Sequence, residues 1–213
     1  MKPADPPPQP SALPLRRNSH ARLFELLNEM AERPESEDEL TATIERDFGE
    51  TRAVLALDMS GFSRCTQEKG IVCFLLMIHQ MKRLAVPAIE EAGGILVKGE
   101  ADNLFCLFED VDAAVAAARE ILRRLAAANV DAPADRRLGA AIGIGFGPIL
   151  NIDERDLFGH EVNLACKLGE DVAKEGEVLL TAAANQRALG YGLTTERREI
   201  SISSLVFSYY RLA

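Results

Sequence analysis

Apolar residues recur at helical spacing at Leu23, Leu26, Leu27 and Met30, which predicts an amphipathic helix over 19–33. Residues 34–48 are acidic and polar, with Glu35, Glu37, Asp38 and Glu39, and leave room for a short second helix. From residue 52 the pattern is more regular. The apolar run 53–57 ends at Asp58 and predicts a buried strand. Gly61 opens a helical stretch to about Glu91, with a break near Gly70, and Gly93-Gly94 ends it. The apolar runs 95–97 and 104–108 flank a polar segment, Lys98 to Asn103, and read as a hairpin. An Ala-rich helix over 112–128 follows, then a Gly-spaced strand over 138–146 and a helix over 160–172. A strand over 178–180, a helix over 182–189 and two strands within 193–212 complete the chain.

From residue 52 the predicted order is β-α-β-β-α-β-α-β-α-β-β. Its first six elements are the split βαβ arrangement of ferredoxin-like folds. The expected class is therefore α+β, with helices packed on a mostly antiparallel sheet and further α/β elements added at the C-terminal side. The proline-rich stretch 1–17 predicts a disordered tail, 18–49 a helical extension, and 50–213 the main domain.

Composition changes this picture in three places. A net charge of −9 with no basic face argues against nucleic-acid binding, and 6% aromatic content argues against an RNA-stacking sheet. Such a chain still binds a triphosphate if divalent cations or backbone amides offset the repulsion. The four cysteines, at 65, 73, 106 and 166, form no CxxC pair and read as free thiols in a reducing compartment. The N-terminus lacks a secretory apolar core, and the longest unbroken apolar run, 71–78, is short for a membrane span. A cytoplasmic protein without membrane partners is the expectation.

Three sets of residues can carry chemistry. Asp58 ends an apolar strand just before Gly61, where the chain turns and the next helix exposes its first amides; an Asp there also serves as a plain N-cap. Asp102 lies at the hairpin tip, a position that favours Asp for turn chemistry alone. In a split βαβ sheet the two are neighbours, and a carboxylate pair suits a two-cation site for displacement at phosphorus. Asn163 and Lys167 share one helical face, which either orients a ribose and a phosphate or is an ordinary solvated stripe.

Together these segments resemble the class III adenylyl/guanylyl cyclase catalytic domain over roughly residues 50–213. Leu57-Asp58-Met59-Ser60-Gly61-Phe62-Ser63 is similar to the family's first metal motif, and the stretch Gly93-Gly94 through Asp102 to its second. Ile142-Gly143-Ile144-Gly145-Phe146-Gly147-Pro148 is similar to its central Gly-rich strand. Asp156-Leu157-Phe158-Gly159-His160-Glu161-Val162-Asn163-Leu164-Ala165 is similar to its most diagnostic block.

The resemblance implies the class III cyclase fold and a homodimer with active sites at the interface. It assigns two Mg²⁺ or Mn²⁺ ions to Asp58, Asp102 and the Met59 carbonyl, and the triphosphate to amides near Ser60, Gly61 and Phe62. Lys98 and Asp156 fall at the base-reading positions in the adenine form, so ATP is the implied substrate and 3′,5′-cyclic AMP and pyrophosphate the products. Asn163 would position the ribose. Three departures weaken the match. The transition-state Arg is Lys167 here, the C-terminal hairpin segment Ser201-Ile202-Ser203-Ser204 lacks the expected Lys, and Ala101 stands where Gly is common. A slow adenylyl cyclase is the leading expectation. A degenerate domain that binds nucleotide or a regulatory protein partner, and a cyclase for GTP or a pyrimidine triphosphate, are the alternatives.

Overall fold

The computed structural model describes residues 17–61, 63–202 and 205–213; residues 1–16, which hold nearly all of the expected tail, lie outside them. Two helices, α1 (His20–Glu32) and α2 (Glu37–Phe48), precede strand β1 (Gly49–Ser60). Helices α3 (Ser63–Lys69) and α4 (Ile71–Glu91) lead to the hairpin β2 (Ile95–Glu100) and β3 (Asn103–Phe108). Then come α5 (Val111–Asn129), β4 (Gly139–Ile152), β5 (Asp156–Phe158) and α6 (His160–Lys167). A π-helical turn, Leu168–Val172, prolongs α6 before β6 (Val178–Leu180), α7 (Ala182–Gly190), β7 (Thr195–Ile202) and β8 (Leu205–Leu212). The sheet runs β2-β3-β1-β4-β6-β8-β7, with β5 on β4, and only the β4–β6 pairing is parallel. This is the expected α+β class.

Alternation along β1 divides the core. Ala53, Leu55, Leu57 and Met59 point into a cluster with Met77, Met81, Ala85 and Ile89 of α4 and with α5 and α7. Val54 and Ala56 point the other way, towards Val162 and Ala165 of α6. On this second face α6 lies almost on the backbone of the sheet. A Cβ at Gly143 would stand 2.0 Å from the Ala165 carbonyl oxygen, and one at Gly145 2.5 Å from that of Glu161. The same holds at the π-turn, where a Cβ on Gly169 would lie 2.7 Å from the Ala56 oxygen. The Gly-spaced strand is thus a seat for α6 and its π-turn. A third cluster joins Leu23 and Leu26 of α1 to Leu40, Ile44 and Phe48 of α2 and to Ile152 of β4, so the helical extension packs on the end of the sheet.

Two readings change. Helix α4 is 21 residues long and contains an 18-residue stretch with a mean hydropathy of 1.4, enough by length and composition to cross a membrane. The unbroken run 71–78 understated it, because His79 and Gln80 interrupt the run inside the same helix. Its Met77, Met81, Ala85 and Ile89 are nonetheless buried against the sheet, as in a core helix. Cys73 is disulfide-bonded, whereas Cys106 and Cys166 are free. The expectation of four free thiols fails because a bridge requires only suitable Cβ geometry, which no sequence motif announces. Burial pushes the Cys106 thiol up to about 12, which makes it a packing residue.

Candidate active site

The first candidate carboxylate owes its setting to alternation. Asp58 follows Val54 and Ala56 on the face that carries α6, at the point where β1 leaves its apolar core. The hairpin tip is then pinned to it, because the Met59 amide donates to the Asp102 carbonyl oxygen at 3.1 Å. Ala101, in the tight turn between β2 and β3, takes a left-handed φ of 47°. That is the physical reason a glycine would be at home there. Met59 is buried on the opposite face, so only its backbone can face the carboxylates.

Burial, then the negative charges of Asp102, Glu170 and Asp171, push the Asp58 carboxyl up from its ordinary value to about 6. Glu170 is also raised, by burial and then by Asp171 and Asp102. The site therefore repels its own charge. A divalent cation relieves that repulsion and suits hard oxygen donors. Among the described residues no three His, Cys, Asp or Glu gather as a metal-holding group, so a cation here would have to draw on two carboxylates and on neutral oxygens. The residues fit the ion in that sense.

The other predicted residues fall into place as separate groups. Lys98 Nζ donates to Asp156 Oδ1 at 2.9 Å and lies 5.3 Å from the centre of the Phe105 ring. Asp156 also accepts from the Leu157 amide. The Asp156 hydrogen bond is the main reason the Lys98 ammonium is held above its ordinary range. Strand β5 is too short for alternation to reveal, yet its pairing with β4 delivers Asp156 to Lys98. Asn163 is exposed on α6, and Lys167, one turn later, is held by Asp171 at 2.5 Å. Ser60 donates its hydroxyl to Glu175 at 2.9 Å. Gly61 has a φ of 91°, and a Cβ there would meet the Arg137 carbonyl oxygen at 2.8 Å. Phe62 lies outside the described residues. Among the described residues no hydrogen bond or ion pair joins the Lys98–Asp156 pair or Asn163 to the two carboxylates.

Sequence reasoning passed over several residues. Glu170 and Asp171 belong to the electrostatics of Asp58, and Asp171 was visible as an i+4 partner of Lys167. Glu161 accepts from the Phe146 amide at 3.1 Å and from Thr181 Oγ1 at 2.6 Å, fixing the start of α6 on β4 and on the N-cap of α7. A cavity of about 340 Å³ opens beside this helix, lined by His160, Leu164, Lys167, Thr181, Phe207 and Tyr209.

No family model matches the chain. A curated protein of Rhizobium meliloti (strain 1021), "Putative adenylate cyclase 3", is 29% identical over 138 residues, which are 65% of this chain. The match spans 23% of that relative's length. The adenylate/guanylate cyclase/hydrolase of Silicibacter pomeroyi superposes with a TM-score of 0.64 at 26% identity, covering 78% of this chain and 97% of that one. The guanylate cyclase domain of RhGC from Catenaria anguillulae, in complex with GTP, gives a TM-score of 0.64 at 16% identity, over 77% and 96% of the two chains. At that identity the likeness is one of fold.

Proposed function

We propose, from the premise that this chain has the catalytic-domain fold of the class III nucleotidyl cyclases, that it is an adenylyl cyclase making 3′,5′-cyclic AMP and pyrophosphate from ATP. The observation that carries the reading is the pinning of the Asp102 turn to the end of β1, which sets two carboxylates against each other. Asp58, Asp102 and the Met59 carbonyl would hold Mg²⁺ or Mn²⁺, which would supply Lewis acidity towards the ribose 3′-hydroxyl and offset phosphate charge. The amides at Ser60 and Gly61 receive the triphosphate, where the positive φ of Gly61 turns the chain. Asn163 orients the ribose, and the Lys167 ammonium offsets charge on the α-phosphate. The 3′-hydroxyl gives up its proton to water, its oxygen forms a bond to the α-phosphorus, the bond to the bridging oxygen of the β-phosphate breaks, and pyrophosphate leaves.

The choice of ATP rests on Lys98 and Asp156. The ammonium can donate to a ring nitrogen, and the carboxylate can accept from the exocyclic amine of adenine. Guanine presents a carbonyl where adenine has that amine, so Asp156 loses the donor it would accept from. Support for a second copy of this chain as partner comes from the surface of α4, where Ile71, Val72, Leu75 and Leu76 form an exposed apolar stripe.

Purified protein incubated with each of the four common nucleoside triphosphates, with Mg²⁺ and with Mn²⁺, and analysed by mass spectrometry, tests the proposal. Cyclic AMP that disappears in Asp58→Ala is the expected result. Another cyclic nucleotide overturns the base reading, and no cyclic product in any condition overturns the enzyme reading. A second reading, a domain that binds nucleotide without turnover, is favoured by one observation: Lys167 is already engaged by Asp171.

A further inference from the structure

Cross-strand pairing places one more residue beside the carboxylates. Asn103, the first residue of β3, is the direct register partner of Asp58 across the β1–β3 ladder. Residues directly opposite in such a ladder project to the same face, with Cβ atoms about 4.5–5.5 Å apart. Alternation agrees: Leu104 and Cys106 join the α4 cluster, whereas Phe105 and Leu107, in step with Asn103, join the α6 cluster. The Asn103 side chain thus lies on the face of Asp58, next in sequence to Asp102.

Its amide oxygen, Oδ1, is buried and has no hydrogen-bond partner, the single side-chain atom in that state among the described residues. Folded proteins rarely leave a buried acceptor unpaired, because its desolvation goes uncompensated. The neighbours explain why no donor serves it. Asp58 stands directly opposite Asn103 in the ladder and Asp102 precedes it in sequence, and the oxygens of a carboxylate pair are acceptors. An acceptor among acceptors is short of a positive centre. A neutral amide oxygen is a hard donor that adds coordination without adding charge to a place already overloaded with it.

We infer that Asn103 is a further ligand of the divalent cation held by Asp58 and Asp102, with its Oδ1 as the donor. The inference rests on the two-carboxylate site proposed above and extends it by one residue. It makes Asn103 idle, or slightly harmful, to the cation-free fold and useful only when the cation is bound. A residue kept for turn chemistry would behave in the opposite way.

The test reads cation binding directly. Mn²⁺ binding to the full chain is followed by electron paramagnetic resonance, alone and with 3′-deoxy-ATP, which has no 3′-hydroxyl to cyclise. Thermal unfolding with and without Mn²⁺ is measured in parallel. Asn103→Ala should weaken Mn²⁺ binding about 10- to 100-fold, the range typical for groups that support a metal site, and shrink the Mn²⁺-induced rise in Tm. Its Tm without Mn²⁺ should equal or exceed that of the wild type. Asn103→Asp keeps an oxygen and loses the N–H donors, so it should retain or tighten Mn²⁺ binding. Wild-type Mn²⁺ affinity in Asn103→Ala while Asp58→Ala binds none would overturn the inference and leave the carboxylate site standing. A lower Tm of Asn103→Ala without Mn²⁺, or lost Mn²⁺ binding in Asn103→Asp, would overturn it too. If the wild type binds no more Mn²⁺ than Asp58→Ala, the carboxylate site itself is wrong and the inference goes with it.

Discussion

Lys167 concentrates the catalytic question in one side chain. It stands where the resembling family has arginine, and its ammonium is a point charge, not a planar fork. It is also held by Asp171, one turn further along. The first removes bidentate geometry, and the second competes for the charge it offers a phosphate. Lys167→Arg is expected to raise kcat by about 10-fold or more, on the scale of single donors at such centres, with little change in KM for ATP. Steady-state kinetics of the cyclic product checks this, and an unchanged or lower kcat would remove Lys167 from the transition-state role. The residue scale also shows how far a sequence reaches into a site. Asp58, Asp102, Lys98 and Asp156 carry motif signals. Asn103 does not, because its interest comes from a register pair and an unpaired atom, both products of the assembled sheet. Glu170 belongs to the same class: its effect on Asp58 depends on the π-turn pressing Gly169 onto Ala56.

At the scale of elements, α7 is tied to the start of α5 by Asp110. Its carboxylate caps α5 by accepting from the Val111 amide at 2.7 Å, and it also accepts from Tyr191 at 2.7 Å and from the Arg187 guanidinium. Arg187 in turn lies over Phe146 and Tyr191, 5.4 and 5.8 Å from the ring centres. The Arg187 bond, followed by Tyr191 and the Val111 amide, lowers the Asp110 carboxyl from 3.8 to about 2. A depressed carboxylate stabilises the fold at pH above its unfolded value and loses that contribution as pH falls through its folded value. Asp110→Ala should therefore cost about 1–2 kcal/mol at neutral pH, the scale of a lost cap with its partners, and half-exposed Arg187 adds little beyond it. Urea unfolding from pH 7 to pH 2 should show the gap between wild type and variant constant down to about pH 4 and closing below it. A gap that stays constant to pH 2 would mean that the ionised carboxylate is not what stabilises. Element types were largely legible from periodicity, whereas their ends were not. Strand β1 extends over Gly49–Ser60 although its apolar run covers only 53–57, because β4 runs along its whole length and pairs the polar ends as well. The tail of α6 becomes a π-turn where Gly169 seats against β1 and β4, a packing demand that helical spacing cannot announce.

The whole molecule poses the problem of completeness. The carboxylates sit at the tip of the β1–β3 pair and Asn163 is exposed on α6; no hydrogen bond or ion pair among the described residues connects them. The apolar stripe of Ile71, Val72, Leu75 and Leu76 faces solvent on the helix that follows the metal motif and its short helix α3. Both facts are explained if two copies associate and each site takes its carboxylates from one chain and its Asn163 from the other. This arrangement makes a quantitative demand on mixtures. Asp58→Ala alone and Asn163→Ala alone should each be nearly inactive, since every site in either homodimer lacks one part. In an equimolar mixture that exchanges freely, half of the dimers are mixed, and each mixed dimer contains one intact site and one doubly damaged site. Of all sites one quarter is intact, so the mixture should recover about 25% of wild-type cyclic AMP production. Sites complete within one chain predict no recovery at all, because mixing cannot then bring Asp58 and Asn163 into one centre. The measured rate of the mixture thus separates a shared site from a self-contained one without any need to see the dimer.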